Sequence, residues 1–219
     1  MCGINGIWNI NGEPVDRSLI ESMNNALIHR GPDDSGSLMK GNIALGHRRL
    51  SIIDIKNGKQ PMSNSDGSIH ITYNGEVYNH VKLKKILQSR GHVFNTNCDT
   101  EVVLKCYEEF GLKFVDKLRG MFAIGIWDGK RKQIILVRDR LGQKPIYYYH
   151  DNNKIVFSSE LHSLIEGLNN DCDIDSDGLN DYLTLDYIPA PLTIYKNIKK
   201  IPSAHILVCK NDNLNIKKY

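Results

Sequence analysis

The 219-residue sequence predicts an α+β fold in which helices pack on antiparallel sheets. Short segments rich in β-branched or aromatic residues, each bounded by Gly, Asn, Asp or Pro, predict strands in two groups. They are 2–9, 43–47, 69–73, 121–127, 133–138, 145–149, 154–158 and 205–209. Segments with apolar residues at helical spacing cluster between these groups, and they predict helices at 16–29, 79–90, 99–110 and about 176–185.

The helices are predicted from an apolar face on each segment, which in the first includes Leu19, Met23 and Leu27. Gly91 and Gly111 follow the second and third segments and are typical of helix ends. The segments WDGKRKQ and HDNNK have the composition of hairpin connections. We therefore expect the four strands that run from 121 to 158 to form one antiparallel meander.

The composition excludes several classes of protein. With 41% hydrophobic and 24% charged residues, the chain is typical of a folded globular protein. No run of about 18 apolar residues is present, so we expect no membrane span. The first residues lack a basic region followed by an apolar stretch, so we expect no secretion signal. Five cysteines without a C-x-x-C pair then indicate a reducing, cytoplasmic protein without a disulfide framework.

The sequence also argues against several classes of ligand. The net charge is only +3 and the lysines are scattered, which argues against nucleic acid as a partner. No His/Cys group has zinc-site spacing, so no metal is expected. Neither G-x-x-x-x-G-K-[ST] nor G-x-G-x-x-G occurs, so we expect no nucleotide cofactor within these residues.

The stretch MCGINGIW places a cysteine directly after the initiator methionine. A thiol attacks a carbonyl only as thiolate, so it needs a base. If Met1 is removed, Cys2 carries a free α-amine, whose ordinary pKa of about 7.7–8.0 lies close to the thiol's pKa of about 8.5. One residue would then supply both nucleophile and base. The alternative is that this cysteine is incidental.

Three further motifs each allow a structural and a functional interpretation. Arg48 and Arg49 are either a solvated pair at a strand edge or carboxylate ligands, and strand alternation lets at most one face a site. Asn74-Gly75 is either a hairpin turn or an oxyanion hole made by an amide side chain and a backbone N–H. Asp99 is either a helix N-cap or a ligand for an ammonium group.

The functional interpretations together describe one substrate class. A nucleophile, an oxyanion hole, a carboxylate receptor and an ammonium receptor are what an α-amino acid with a side-chain carbonyl requires. Glutamine fits this set. The stretch HRGPDDSG, by contrast, is interpreted only as a turn with a capped exit.

The start Met1-Cys2-Gly3-Ile4 is followed in order by HRGPD, HRRLSIID, YNGEVYN, CDTEV, RGMFAIGIWD and RDRLGQKPIYY, and also by SSELHSLI and YIPAPLTIYKNIKKIPSAH. This series resembles the glutaminase domain of glutamine-hydrolysing asparagine synthetases, within the class II glutamine amidotransferases of the N-terminal-nucleophile hydrolases. The resemblance implies a four-layer αββα sandwich of two antiparallel sheets, in agreement with the predicted elements.

The resemblance also implies roles at the matching positions. Cys2 would be the nucleophile after removal of Met1, with Asn74 and Gly75 as the oxyanion hole. The glutamine pocket would be formed by residues that bind its carboxylate, its ammonium or its carbon chain, namely Arg49, Leu50, Ile52, Ile53, Asn74, Gly75, Glu76 and Asp99. Arg49 would bind the carboxylate, and Glu76 and Asp99 the ammonium.

The chain departs from the family pattern at two places. Asn97-Cys98 stands where the family usually has Gly or Thr followed by Ser, which implies an altered pocket wall and a second thiol near the site. Leu185-Asp186 and Leu192 replace a common Phe-Gly and Arg near the expected domain junction, and IPSAH replaces a usual Pro-Pro-Gly-His. These changes bear on the ammonia-accepting half of the family enzyme more than on glutamine hydrolysis.

The expected organisation is a glutamine amidotransferase domain at 1–210 and, at 211–219, the start of a linker to an absent synthetase domain. That domain would bind ATP and Mg²⁺, and the Ser-Gly-Gly-x-Asp-Ser loop expected there does not occur in this sequence. The expected partners are L-glutamine and the synthetase domain, and a homodimer stays open. The final acceptor of ammonia, aspartate or a related carboxylate, also stays open.

Two other functions remain as alternatives. One is a cysteine N-terminal-nucleophile amidase that acts on another amide, against which the Arg49 and Asp99 pair argues, because an acyl chain needs an apolar pocket. The other is a non-catalytic, regulatory domain that keeps the glutaminase fold.

Overall fold

A computed structural model describes residues 1–50 and 58–219. Twelve strands in this part of the chain form two six-stranded sheets. The first sheet has the order β10-β8-β9-β1-β3-β2 and contains β1 (Gly3–Asn9), β2 (Asp34–Lys40), β3 (Ile43–Arg49), β8 (Tyr147–His150), β9 (Lys154–Ser158) and β10 (Ile198–Lys200). The second has the order β12-β11-β7-β6-β5-β4 and contains β4 (Met62–Ser63), β5 (Ile69–Val77), β6 (Gly120–Asp128), β7 (Gln133–Arg138), β11 (His205–Lys210) and β12 (Asn213–Lys218).

All strand pairs within the two sheets are antiparallel. The helices are α1 (Arg17–Asn25), α2 (His80–Ser89), α3 (Asp99–Phe110), α4 (Leu161–Glu166) and α5 (Ser176–Leu185), and a 3-10 helix spans Gly111–Lys117. The α+β prediction is therefore confirmed.

Three apolar clusters define the layers. One contains Ile4 of β1 and Leu136 of β7, and it fills the space between the two sheets. Another packs the opposite face of the first sheet against α1 and α4. The third packs the outer face of the second sheet against α2 and α3. This is the predicted four-layer αββα sandwich, and it results from the alternation of side chains along strands that are buried on both faces.

The predicted meander is wrong. The β6–β7 hairpin lies in the second sheet, and the β8–β9 hairpin lies in the first. Between them the chain turns around the fully buried Asp139, whose carboxylate accepts backbone N–H bonds from Leu141, Gln143 and Lys144. A hairpin pattern predicts which neighbours pair, but it does not say which sheet a pair joins.

Two boundaries also differ from the sequence prediction. Helix α1 ends at Asn25 rather than at residue 29, because the following N–H groups of Leu27 and Ile28 bond three residues back, as in turns. Residues 213–218, where we expected a linker, form β12 and pair with β11, so the second sheet extends beyond position 210. Within the described ranges, no helix is long and apolar enough to cross a membrane.

Candidate active site

The candidate site lies at one end of the layer between the sheets. Cys2 directly precedes β1, and it shares a strand face with Ile4, which belongs to the inter-sheet cluster. On β5, the Thr72 hydroxyl donates to the Gly46 carbonyl across this layer at 2.9 Å, so Thr72 and Asn74 face the first sheet. Cys2, Asn74 and the end of β3, at Arg49, line a cavity of about 230 Å³.

The thiol of Cys2 contacts the backbone of Leu50. The Leu50 N–H donates to the sulfur at 3.4 Å, and the sulfur lies 3.7 Å from the Leu50 carbonyl oxygen. Met1 precedes Cys2 in this structure, so the Cys2 nitrogen is part of a peptide bond.

A partly buried ion pair fixes the backbone of Cys2. The Arg30 Nε donates to the Cys2 carbonyl at 3.0 Å, and its Nη1 donates to Glu160 at 2.7 Å. Two residues after Cys2, the Ile4 N–H donates to the Ser159 hydroxyl at 3.0 Å. Neither residue was predicted to belong to the site, although Arg30 lies in the motif HRGPD and Glu160 in SSELHSLI. They are 130 residues apart in the sequence, so no local pattern indicated that they pair.

Asn74 has the properties of an oxyanion-hole residue. It is only 2% exposed, and its Nδ2 is a buried donor without a hydrogen-bond partner among the described residues. A buried, unpaired amide costs free energy, so such a group is expected where a ligand completes it. The residue pair Asn74-Gly75 lies inside β5, opposite Ala123 and Phe122, so the alternative of a hairpin turn is wrong.

Gly75 supplies a second donor at the cavity, its backbone N–H, beside the side chain of Asn74. Alternate residues of a strand direct their N–H groups to the same edge. Those of Tyr73 and Val77 donate to the side chains of Gln60 at 2.7 Å and Asp99 at 3.0 Å. The Gly75 N–H therefore faces the cavity edge between them. A Cβ at Gly75 would collide with the carbonyl oxygen of Met121, so only glycine fits there.

Asp99 faces the cavity instead of capping a helix. It is the first residue of α3, whose N-cap is Cys98. Its Oδ2 accepts hydrogen bonds from the Tyr73 hydroxyl at 2.7 Å and from the Val77 N–H at 3.0 Å. Burial and then the neighbouring Asp99 carboxylate raise the pKa of Tyr73 well above its usual 10. Tyr73 therefore stays a neutral donor, and Asp99 offers negative charge to a ligand.

The structure brings together nearly all of the predicted site residues. Those that line the one cavity are Cys2, Arg49, Leu50, Asn74, Gly75, Glu76 and Asp99. Arg49 is buried and Arg48 only partly so, in line with the predicted alternation. Ile52 and Ile53 lie outside the described residues.

Two further residues at the cavity, Gln60 and Lys144, were not among the predicted site residues. Gln60 accepts from Tyr73 and donates to the Thr100 hydroxyl at 3.3 Å, so it links β5 to the first turn of α3. Lys144 lines the cavity near Met1. The second thiol expected near the site is Cys98, which is buried in the cavity wall beside the Thr96 hydroxyl at 2.9 Å. Burial raises the pKa of the Cys98 thiol.

Two antiparallel sheets packed between helical layers form the fold of the N-terminal-nucleophile hydrolases, and Cys2 lies at the cavity between these sheets. Among solved structures, the glutamine phosphoribosylpyrophosphate amidotransferase from B. subtilis, complexed with ADP and GMP, superimposes with a TM-score of 0.72 at 20% identity. The match covers 99% of this chain and 49% of that one, and it shows the shared fold.

The sequence comparisons identify the family. A family model described as a glutamine amidotransferase domain matches residues 1–219, so the chain belongs to this family. It is 38% identical to asparagine synthetase [glutamine-hydrolyzing] 1 of Bacillus subtilis and 40% identical to the putative asparagine synthetase [glutamine-hydrolyzing] 2 of Methanocaldococcus jannaschii. Both matches cover 100% of this chain, but only 35% and 46% of the respective relatives.

Proposed function

We propose that this chain hydrolyses L-glutamine to glutamate and ammonia through a γ-glutamyl thioester on Cys2. The observation that carries this proposal is the unpaired Nδ2 of Asn74 in the cavity that Cys2 lines. The family membership and the names of the relatives, which are described as glutamine-hydrolysing, support the same substrate.

The charged side chains of the cavity suit the two charged groups on the α-carbon of glutamine. Arg49 presents a guanidinium, which matches a carboxylate bidentately, and Asp99 and Glu76 present carboxylates for the ammonium. The carboxamide carbon would then lie against the sulfur of Cys2, with its oxygen toward Asn74 and Gly75. An acyl chain without these charges would offer Arg49 and Asp99 no complementary group, which disfavours other amides.

The chemistry proceeds in two steps once Met1 is removed. The α-amine of Cys2 takes the thiol proton, the sulfur attacks the amide carbon, and the donors of Asn74 and Gly75 stabilise the oxyanion. The C–N bond breaks as the protonated α-amine returns the proton to the leaving nitrogen, which departs as ammonia. Water, deprotonated by the same amine, then attacks the thioester carbon, and the C–S bond breaks as the sulfur leaves and takes the proton back from the amine. Glutamate is released, and the thiol and the free amine of Cys2 are restored.

The fate of the ammonia is inferred from the longer relatives. We propose that a synthetase domain outside residues 1–219 binds ATP and Mg²⁺ and uses the ammonia to amidate aspartate or a related carboxylate. Names of the matched relatives support this extension, because they are called asparagine synthetases and are two to three times as long.

The test uses three forms of the chain: one that begins at Cys2, one that retains Met1, and Cys2→Ala. We expect glutamate release from glutamine only with the first form, because an acylated nitrogen cannot act as the base and alanine cannot attack. Equal glutamate release by the Cys2→Ala form would contradict the proposal. Asparagine serves as the control substrate, since its shorter side chain cannot reach Cys2 while its α-carboxylate and α-ammonium are both bound.

A further inference from the structure

The motif RDRLGQKPIYY has no role in the mechanism above, yet it places a lysine at the cavity. We propose that Lys144 is a positioning residue of this site, whose ammonium keeps the α-amine of Cys2 unprotonated after Met1 is removed. The inference rests on the proposed function, because it concerns the base of that reaction.

The loop that carries Lys144 is rigidly organised. Asp139 is fully buried, and its carboxylate accepts the backbone N–H groups of Leu141 at 3.1 Å, Gln143 at 3.0 Å and Lys144 at 2.9 Å. It also accepts the N–H of Phe122 at 3.3 Å, in the strand that pairs with β5. The loop is thus tied to the sheet that bears the oxyanion-hole residues.

Arg138 holds the same loop from the other side. Its guanidinium donates to the carbonyls of Gly142 at 2.7 Å, Lys144 at 3.1 Å and Ile201 at 2.7 Å. Gly142 adopts a φ of +67°, a conformation that favours glycine. The backbone of Lys144 is therefore bonded at both its N–H and its carbonyl, which fixes where the side chain starts.

The side chain of Lys144 ends at the first residue of the chain. It is 8% exposed, lines the cavity, and its Nζ lies 3.2 Å from the sulfur of Met1. A thioether is a weak acceptor and cannot neutralise an ammonium. When Met1 is removed, the ammonium loses this contact and faces the new N-terminus.

A second cation near an amine lowers the amine's pKa, because two positive charges repel each other. The Met1 sulfur is five bonds from the Cys2 nitrogen, so Nζ lies within about 9 Å of that nitrogen. At an effective dielectric constant of about 20 to 40, a unit charge at this distance shifts a pKa by about one unit. An α-amine with an ordinary pKa of about 7.7–8.0 would thereby be about half to two thirds free base at pH 7, instead of about a tenth to a sixth.

Other charged groups also surround Cys2. Glu76 and Asp99 act in the opposite direction, Arg49 acts in the same direction, and Arg30 is paired with Glu160. The neighbouring Tyr73 and Cys98 have raised pKa values and stay neutral. All of these groups are unchanged when Lys144 alone is replaced, so the difference between variants isolates the contribution of its charge.

The experiment compares Lys144→Met, Lys144→Arg and the unsubstituted protein, each expressed behind a leader that a protease removes directly before Cys2. The pH dependence of kcat/KM for glutamine is measured from pH 5.5 to 9.5. Its acid limb reports the pKa of the essential base in the free enzyme. The control is Lys85→Met, which removes the same charge from the exposed face of α2.

We expect the acid limb of Lys144→Met to move up by about one pH unit, with about tenfold lower kcat/KM on that limb and a smaller deficit as the pH rises. Lys144→Arg should restore the limb. An unshifted limb in Lys144→Met, or a deficit that is equal at every pH, would overturn the proposal. If the unsubstituted protein releases no glutamate at any pH, the proposed function itself fails, which is a distinguishable result.

Discussion

Replacement of Asn74 by leucine separates a catalytic role from a structural one. The amide of Asn74 is buried, and its Nδ2 has no partner among the residues that the structure describes. Leucine has a similar branched shape but no donor. The substitution should therefore remove an interaction that forms only with the substrate's oxyanion, while it removes nothing that holds the fold together.

The substitution should lower kcat but raise the free energy of unfolding. Loss of one oxyanion-hole donor typically lowers kcat by about 100- to 1,000-fold, which corresponds to about 3–4 kcal/mol. An unsatisfied buried donor costs about 1–3 kcal/mol, so its removal should raise the free energy of unfolding by about 1 kcal/mol after imperfect packing. We expect the Asn74→Leu variant to be nearly inactive and at least as stable as the original protein.

Asn64 offers a matched control outside the cavity. Its Oδ1 accepts the N–H groups of Ser68 at 3.0 Å and Ile69 at 2.9 Å, and its Nδ2 donates to Glu108 at 2.9 Å. The Asn64→Leu variant should lose about 2–4 kcal/mol of stability and retain its kcat.

Glutamate release and urea unfolding measure both quantities on the same preparations. The interpretation of Asn74 is refuted if Asn74→Leu keeps its kcat. It is also refuted if the variant loses as much stability as Asn64→Leu, because the amide would then have a structural partner.

Four other outcomes follow from the site and its surroundings. Arg49→Lys should raise KM by about tenfold or more with a smaller change in kcat, because an ammonium cannot grip a carboxylate bidentately; an unchanged KM in steady-state kinetics contradicts this. Asp99→Asn should raise KM for glutamine by about 10- to 100-fold, because a charge-assisted bond to the ammonium is lost; glutamine titration of both proteins measures it. Cys98→Ser should keep kcat within about threefold, since burial raises the pKa of that thiol and leaves it unreactive; abolished turnover would show a catalytic role. Burial lowers the pKa of His47 from 6.5 to about 4, so the unfolded chain binds this proton first and stability falls as the pH drops from about 6.5 to about 4, by about 3 kcal/mol. His47→Gln should remove about that part of the acid-induced loss, as urea unfolding at pH 7 and pH 4 can measure.

The strands and helices could be predicted from the sequence because residue type, apolar spacing and the bounding Gly, Asn, Asp or Pro residues are local signals. The four-layer arrangement was expected from the family resemblance, since strands such as β1 and β7 are buried on both faces and show no alternation of apolar and polar residues. The assignment of hairpins to sheets could not be predicted in this way. It depends on the buried carboxylate of Asp139, whose backbone bonds turn the chain from one sheet to the other.

The pair Asn74-Gly75 shows how tertiary pairing overrides local preference. Asn-Gly is a strong turn signal, yet β5 continues through it, because all nine of its residues pair with β6. The functional interpretation of this pair depended on the chemistry of the substrate. Hydrolysis of an amide requires an oxyanion hole, and the Asn74 side chain with the Gly75 N–H can supply one.

The residues that support the site could not be predicted from the sequence. Arg30 and Glu160 meet across 130 residues, and the Gln60 side chain links two elements that are far apart in the chain. Such contacts depend on how the sheets stack, which no local pattern encodes. The residues that would touch the substrate carry recognisable chemistry, whereas those that hold them carry ordinary polar side chains.

The most direct test of the central claim is covalent labelling of the chain that begins at Cys2. The probe is a glutamine analogue with a γ-diazoketone in place of the carboxamide. Peptide mapping by mass spectrometry should find one label per chain, on Cys2, and excess glutamine should prevent it. A label on Cys98, the other cysteine of the cavity wall, or none at all on Cys2, would contradict the assignment of Cys2 as the nucleophile.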